Sequence, residues 1–115
     1  MPFLFINLKV YQRAVDLAEK ITNLTDAFPK GTYYLTDQLN RAVLSISLNI
    51  SEGNGCFHIR ERQNFFRIAR GSAFECIPLL ELCKRKKFIT GDNVNAFTAE
   101  LDEICKMISG LIQKD

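Results

Sequence analysis

Apolar residues recur at alternating spacings of three and four in four segments of the chain, and this period constrains the fold more than any other feature. Residues at such spacings lie on one side of an α-helix, which has 3.6 residues per turn. The first stripe consists of Val10, Ala14, Leu17, Ile21, Leu24 and Phe28. It ends at Pro29, because the residue before a proline is driven out of the helical conformation. The spacing predicts a first helix over about residues 7–27.

The second segment has one apolar face and clear end signals. Its predicted inner face is formed by Leu35, Leu39, Ala42, Val43, Ile46 and Ile50. Thr36 is expected to cap the N-terminus of this helix, with Asp37 in the first turn, where a carboxylate favours the helix dipole. The sequence Gly53-Asn54-Gly55 is expected to end the helix, since glycine is common at helix ends.

The third segment is the longest, over about residues 58–87. Its predicted core face is formed by Phe65, Ala69, Ser72, Ala73, Cys76, Leu80 and Cys83. Pro78 lies inside it and removes one backbone hydrogen bond, to the carbonyl of Phe74. Because the apolar spacing continues across Pro78, we expect a bend in this helix and no break.

The fourth segment follows Thr90 and Asp92, whose side chains are suited to capping a helix. Its apolar residues are Val94, Phe97, Leu101, Ile104, Ile108 and Leu111. A chain of 115 residues has the size of one domain. Four amphipathic helices with short connections pack most readily as antiparallel neighbours. The sequence therefore predicts an all-α, up-and-down antiparallel four-helix bundle in a single domain over residues 1–115.

Composition and motifs exclude several classes of protein. Hydrophobic residues make up 47% of the chain, but no stretch approaches the roughly 20 apolar residues of a membrane span. The N-terminus has no secretory signal pattern, so a cytoplasmic location is expected. His58 is the only histidine, and no CxxC, Walker A, GxGxxG or nucleophile motif is present. We expect no metal, no cofactor and no enzymatic activity.

Four cysteines are present, and three of them, Cys76, Cys83 and Cys105, lie in predicted helices. A secreted disulfide scaffold normally places its cysteines in short loops. We therefore expect all four, including Cys56, to be free thiols that act as small hydrophobic residues in a reducing compartment.

The charge is concentrated in the middle of the chain. Residues 41–90 carry nine Lys or Arg and four Asp or Glu, although the whole chain has a net charge of only +2. Arg67, Arg70, Phe74 and Arg85 fall on the predicted outer face of the third helix. Arginine binds phosphate and aromatic rings stack on bases, so these four residues are candidates for binding nucleic acid. The alternative is an ordinary solvated helix face, on which Glu81 pairs with Arg85.

The second helix has two further surfaces outside its core face. Leu44 and Leu48 lie opposite the inner stripe and are predicted to form a subunit interface, the alternative being scattered surface hydrophobes. A polar stripe of Arg41, Ser45, Asn49 and Glu52 follows one flank. The favoured interpretation of this stripe is hydrogen-bonded and ion-paired packing between helices or subunits. The alternative is a site for nucleic acid or a partner protein.

Several segments in the same order resemble one protein family. They are LKVYQRAVDL (residues 8–17), the Phe28-Pro29 turn, QLNRAVLSISLNISEGNG (38–55) and FFRIARGSAFE (65–75). Together they resemble the four helix bundle protein family, which includes the 23S rRNA-intervening-sequence proteins. That family is related to the accessory variability determinant of diversity-generating retroelements, and the resemblance extends over nearly the whole chain.

The resemblance implies a homopentamer of four-helix bundles with a central opening and basic surfaces. For the retroelement relatives it implies a reverse transcriptase and its RNA as partners. We therefore expect a non-enzymatic homo-oligomer that binds RNA, DNA or a nucleic-acid-processing enzyme through its basic residues. The rival interpretation is a structural or regulatory protein-binding module with no role on nucleic acid.

Overall fold

The computed structural model describes residues 3–113 and contains four long helices. They are α1 (Lys9–Thr25), α2 (Tyr33–Asn54), α3 (Ile59–Arg85) and α4 (Gly91–Gln113), preceded by a short 3-10 turn at Leu4–Asn7. No β-strand occurs in the described residues. The predicted all-α class is confirmed.

The helices pack as a square bundle about 43 Å long and 22 Å wide. α2 lies between α1 and α3, α4 packs against α3, and a smaller contact between α4 and α1 closes the square. Connections of a few residues join each helix to the next, so consecutive helices are antiparallel neighbours. The predicted up-and-down four-helix bundle is therefore confirmed. None of the helices in residues 3–113 combines the length and the apolar character that crossing a bilayer requires.

The core consists of the stripes that the helical period predicts. All six predicted inner residues of α2 are buried, as are Ala14, Leu17 and Ile21 of α1. One position was predicted wrongly in α3: Phe65 is only half-buried, and its neighbour Phe66 is buried instead. The physical reason lies in α2, where Gly53 has no side chain and leaves room for the Phe66 ring.

The prediction that Thr36 caps α2 is wrong, because this helix begins one turn earlier, at Tyr33. The carbonyl of Thr32 accepts hydrogen bonds from the backbone N–H groups of Leu35 and Thr36, at 3.1 Å each. Thr36 therefore lies inside the first turn. At α4, the backbone N–H of Asn93 donates to Thr90 Oγ1 at 3.1 Å, which confirms the predicted cap.

α2 ends at Asn54, as predicted, although its glycines do not act as a left-handed helix end. Gly55 has right-handed backbone angles (φ −86°), and Gly53 is a buried residue of the helix. α3 is continuous from Ile59 to Arg85, so the helix does not break at Pro78. Pro78 lies on the exposed side of α3.

The four cysteines are free thiols in the structure. Cys76 and Cys83 are buried in the core, and Cys105 is half-buried on α4. Cys56 lies outside the helices, in the loop between α2 and α3. The prediction that Cys76, Cys83 and Cys105 lie in helices is confirmed.

Candidate nucleic-acid interface

Two arginines and one aromatic residue form a line along the outer face of α3. Arg60, Arg67 and Phe74 are seven residues apart, which is close to two helical turns, so their side chains leave the helix in nearly the same direction. All three are exposed, and Phe74 retains 64% of its accessible surface. We call these three residues the outer line of α3.

A shallow depression of about 480 Å³ lies at the N-terminal end of the outer line. Its lining residues are His58, Arg60, Glu61, Asn64 and Arg67. Glu61 is the one carboxylate in this lining, and its Oε1 accepts a hydrogen bond from the Cys56 thiol at 3.4 Å. The remaining groups are two guanidiniums, an amide and an imidazole. They supply hydrogen-bond donors and positive charge, which suit an anionic ligand.

The other two predicted arginines have partners within the protein. Arg70 Nη1 donates to Ser109 Oγ on α4 at 3.0 Å, and Arg70 therefore lies on the flank of α3 that faces α4. Arg85 Nε donates to Glu81 Oε2 at 3.1 Å, in an exposed ion pair. Arg67 and Phe74 thus belong to the outer line, whereas the side chains of Arg70 and Arg85 are engaged by Ser109 and Glu81. Sequence reasoning missed Arg60, although its spacing of seven residues from Arg67 was available as a signal.

The polar stripe of α2 divides into packed and exposed residues. The hydroxyls of Ser45 and Ser72 lie 2.8 Å apart and join α2 to α3. Asn49 Nδ2 donates to the Ser45 carbonyl and hydroxyl at 2.8 and 2.9 Å. Arg41, by contrast, is exposed and pairs with Asp37 at 2.9 Å, and Glu52 is exposed near the end of the helix. Ser45 therefore joins α2 to α3, whereas Asn49 is half-buried and bonds within α2.

The two leucines predicted at a subunit interface point away from the core. Leu44 and Leu48 lie one turn apart on α2 and retain 44% and 59% of their accessible surface. Together they form an apolar spot on the outer side of the bundle. Burial of such a spot against another surface is favoured by about 25 cal/mol per Å².

An apolar groove of about 250 Å³ runs between α3 and α4. Its lining residues are Ala73, Phe74, Ile77, Thr98, Leu101, Asp102 and Cys105. Phe74 therefore borders both the outer line of α3 and this groove. The groove is small compared with the roughly 300–1,000 Å³ of typical small-molecule pockets.

None of the four thiols is activated by its surroundings. Burial raises the pKa of Cys76 to about 12 and also raises the pKa of Cys83. Burial raises the pKa of Cys105, against an opposing effect of the Arg70 guanidinium. Desolvation and the nearby Glu61 carboxylate raise the pKa of Cys56. Since the thiolate is the reactive form, each raised pKa makes its thiol a weaker nucleophile at neutral pH.

Within residues 3–113, no three His, Cys, Asp or Glu side chains come together as a metal site.

Comparisons with known proteins agree with this architecture. The family model described as "23S rRNA-intervening sequence protein" matches residues 6–110. The crystal structure of a protein of unknown function from the S23 ribosomal protein family of Bacteroides thetaiotaomicron VPI-5482 is similar, with a TM-score of 0.83. The two sequences are 25% identical, over 91% of this chain and 99% of that one. No curated protein matches the chain.

Proposed function

This chain belongs to the 23S rRNA-intervening sequence protein family, and from that premise we propose that it is a non-enzymatic homo-oligomer that binds nucleic acid through the outer face of α3. The observation that carries the proposal is the outer line, in which Arg60, Arg67 and Phe74 are all exposed. Arginine contacts phosphate oxygens, and an exposed aromatic ring stacks on a base. Groups for binding phosphate and for stacking on a base are therefore available on one face of α3.

The arginines of the outer line are free of ion pairs, unlike Arg41 and Arg85. Within residues 3–113, neither Arg60 nor Arg67 lies within 4.0 Å of a carboxylate oxygen, whereas Arg41 and Arg85 each do. An ion-paired arginine must exchange its carboxylate for a phosphate, but an unpaired one exchanges only water and counterions. Arg60 and Arg67 are therefore better prepared for phosphate contacts than Arg41 and Arg85.

Oligomerisation is the second part of the proposal. A net charge of +2 per chain is a weak field, and one outer line offers few contacts. A ring of subunits repeats the same face, so one strand that reaches several copies binds with combined affinity. The exposed Leu44 and Leu48 support a subunit contact, and the resemblance to pentameric bundles suggests five subunits.

The apolar groove between α3 and α4 favours the rival function, a protein-binding module. Phe74, Ile77 and Leu101 line it, and apolar grooves of this kind accept the apolar face of a partner helix. Such binding depends weakly on salt, whereas phosphate binding releases counterions and weakens steeply as salt rises. The salt dependence therefore separates the two functions.

The test is a salt series with structured RNA and with duplex DNA, comparing wild type with Arg60→Ala/Arg67→Ala. We expect the double variant to bind more weakly and to reduce the slope of log affinity against log salt by about 2 for each subunit that contacts the strand, near one unit per lost phosphate contact. Arg41→Ala/Arg85→Ala is the matched control, since it removes two arginines that are already paired. Equal binding by both double variants, or no binding by wild type at low salt, would contradict the proposal.

A further inference from the structure

The side chain of Phe57 is almost fully exposed to solvent, although it is a large apolar ring. It lies in the loop of residues 55–58 between α2 and α3, and 96% of its surface is accessible to solvent. An aromatic ring that remains in water forgoes the favourable free energy of burial. The ring makes almost no contact with the rest of the chain, so its packing contributes little to stability.

The residues immediately before Phe57 are hydrogen-bonded to both α2 and α3. The Gly55 N–H donates to the Ser51 carbonyl at 3.2 Å, and the Cys56 N–H donates to the Gly53 carbonyl at 3.1 Å. On the α3 side, Arg62 Nη2 donates to the Cys56 carbonyl at 3.1 Å. The Cys56 thiol also donates to Glu61. The backbone before Phe57 is thus fixed, so less conformational entropy is lost when a ligand binds to the ring.

The depression on the outer face of α3 begins at the residue that follows Phe57. His58, Arg60, Asn64 and Arg67 line it, together with Glu61, which is engaged by Cys56. The guanidiniums suit phosphate oxygens, and the amide and imidazole suit the polar edge of a base. The exposed Phe57 therefore directly precedes, in the chain, the first lining residue of a basic depression at one end of the bundle.

We propose that Phe57 and this depression form a site for unpaired nucleotides, so that the protein prefers single-stranded to duplex nucleic acid. The inference rests on the proposed function and specifies its substrate. In a duplex, both faces of each base are covered by neighbouring pairs, so a surface ring cannot stack on them. In a single strand the base faces are free, and stacking on an aromatic side chain adds affinity without sequence preference.

The chain contains no tryptophan, which makes a direct test of stacking available. Phe57→Trp introduces a single tryptophan, whose fluorescence we expect an unstructured single-stranded RNA to quench and a duplex RNA of equal length to leave unchanged. Tyr33→Trp is the matched control: Tyr33 is 79% exposed at the other end of α2, and its substitution is expected to give no quenching with either RNA.

Affinities measured by fluorescence anisotropy complete the test. We expect Phe57→Ala to weaken single-strand binding roughly 5- to 100-fold, and to leave duplex binding within about two-fold. Phe57→Leu should behave like Phe57→Ala, because it keeps an apolar side chain and loses the ring face. Melting temperatures equal to wild type would verify that the variants fold.

The outcomes separate this inference from the function on which it rests. If wild type binds neither RNA at low salt, the proposed function fails and the nucleotide site fails with it. If wild type binds RNA and Arg60→Ala/Arg67→Ala weakens binding, the proposed function stands. In that case, unchanged single-strand affinity in Phe57→Ala, or no quenching in Phe57→Trp, would overturn the stacking site alone.

Discussion

The Phe66 ring of α3 lies directly on Gly53 of α2. A Cβ atom added to Gly53 would stand 2.6 Å from Phe66 Cε1 and 2.8 Å from Cδ1, closer than real Cβ contacts. The ring is buried and cannot move aside as the end of a flexible side chain can. The glycine therefore allows the close approach of α2 and α3, and it explains why Phe66, and not Phe65, enters the core.

We predict that Gly53→Ala destabilises the bundle by about 1–3 kcal/mol, because the added methyl group overpacks this contact. The measurement is the free energy of unfolding from urea denaturation. Gly71→Ala is the matched control: Gly71 is exposed within α3, and nothing lies within 4 Å of an added Cβ. This control is expected to gain about 0.5–1 kcal/mol from helix propensity alone. Equal changes in the free energy of unfolding for the two substitutions would show that the contact between Gly53 and Phe66 does not limit stability.

The sequence predicted the helices and most of the core because periodicity is a local signal of burial. It failed where the outcome depends on a second helix. Phe66 is buried because Gly53, on α2, leaves space for its ring. α2 begins earlier than predicted because the Thr32 carbonyl accepts hydrogen bonds from Leu35 and Thr36. In the candidate site, Arg67 was placed by its position on the helix, but the contact of Arg70 with Ser109 requires the neighbouring α4. Phe57 gave no signal at all, since a single phenylalanine in a short loop has no period.

Lys87 provides a second prediction, at the end of α3. Its backbone is in the left-handed region (φ 67°), and the chain closes the helix with hydrogen bonds from Phe88 N–H to Cys83 O and from Lys87 N–H to Lys84 O, both 2.9 Å. This is the Schellman pattern, in which glycine is preferred at the left-handed residue. Lys87→Gly should raise the free energy of unfolding by about 1 kcal/mol.

Lys86→Gly is the control for that substitution. Lys86 has right-handed backbone angles (φ −81°), so glycine there relieves no strain and only adds freedom to the unfolded chain. We expect no gain in stability. If both variants gain the same free energy of unfolding, the gain comes from the lost positive charge. That result would contradict the argument from the backbone conformation of Lys87.

Cys76 makes stability depend on pH in the alkaline range. Burial, and to a lesser extent the nearby Glu75, raise the pKa of its thiol from 9.0 to about 12. Between these values the unfolded chain loses the thiol proton and the folded chain keeps it. The stabilisation is complete below pH 9 and is lost as pH rises toward 12, at up to about 1.4 kcal/mol per pH unit.

Cys76→Ala should therefore lose stability less steeply with pH than wild type over this range, although it is less stable overall. The measurement is the free energy of unfolding at several alkaline pH values. Val43→Ala also truncates a buried core side chain but removes no titratable group, and it should keep the wild-type slope. Parallel curves for wild type and Cys76→Ala would contradict a raised pKa at this thiol.

The last prediction concerns assembly and its link to binding. Light scattering of wild type at micromolar concentration should give a mass of five times 13.1 kDa. Leu44→Ser/Leu48→Ser should reduce the mass toward that of one chain, because it removes the apolar spot and changes no charge. Both leucines point away from the core, so helicity by circular dichroism should be retained. The dissociated variant should bind a long RNA roughly 100-fold more weakly, since one subunit alone has no avidity.

Val15→Ser is the matched control for this loss. Val15 is also an exposed apolar residue, on α1, and its substitution should leave both mass and RNA affinity unchanged. A wild-type mass near 13.1 kDa would end the oligomer proposal. A double variant that keeps the wild-type mass would show that Leu44 and Leu48 lie outside the subunit contact. A double variant that becomes monomeric and yet binds RNA as tightly as wild type would show that a single outer line of α3 is sufficient.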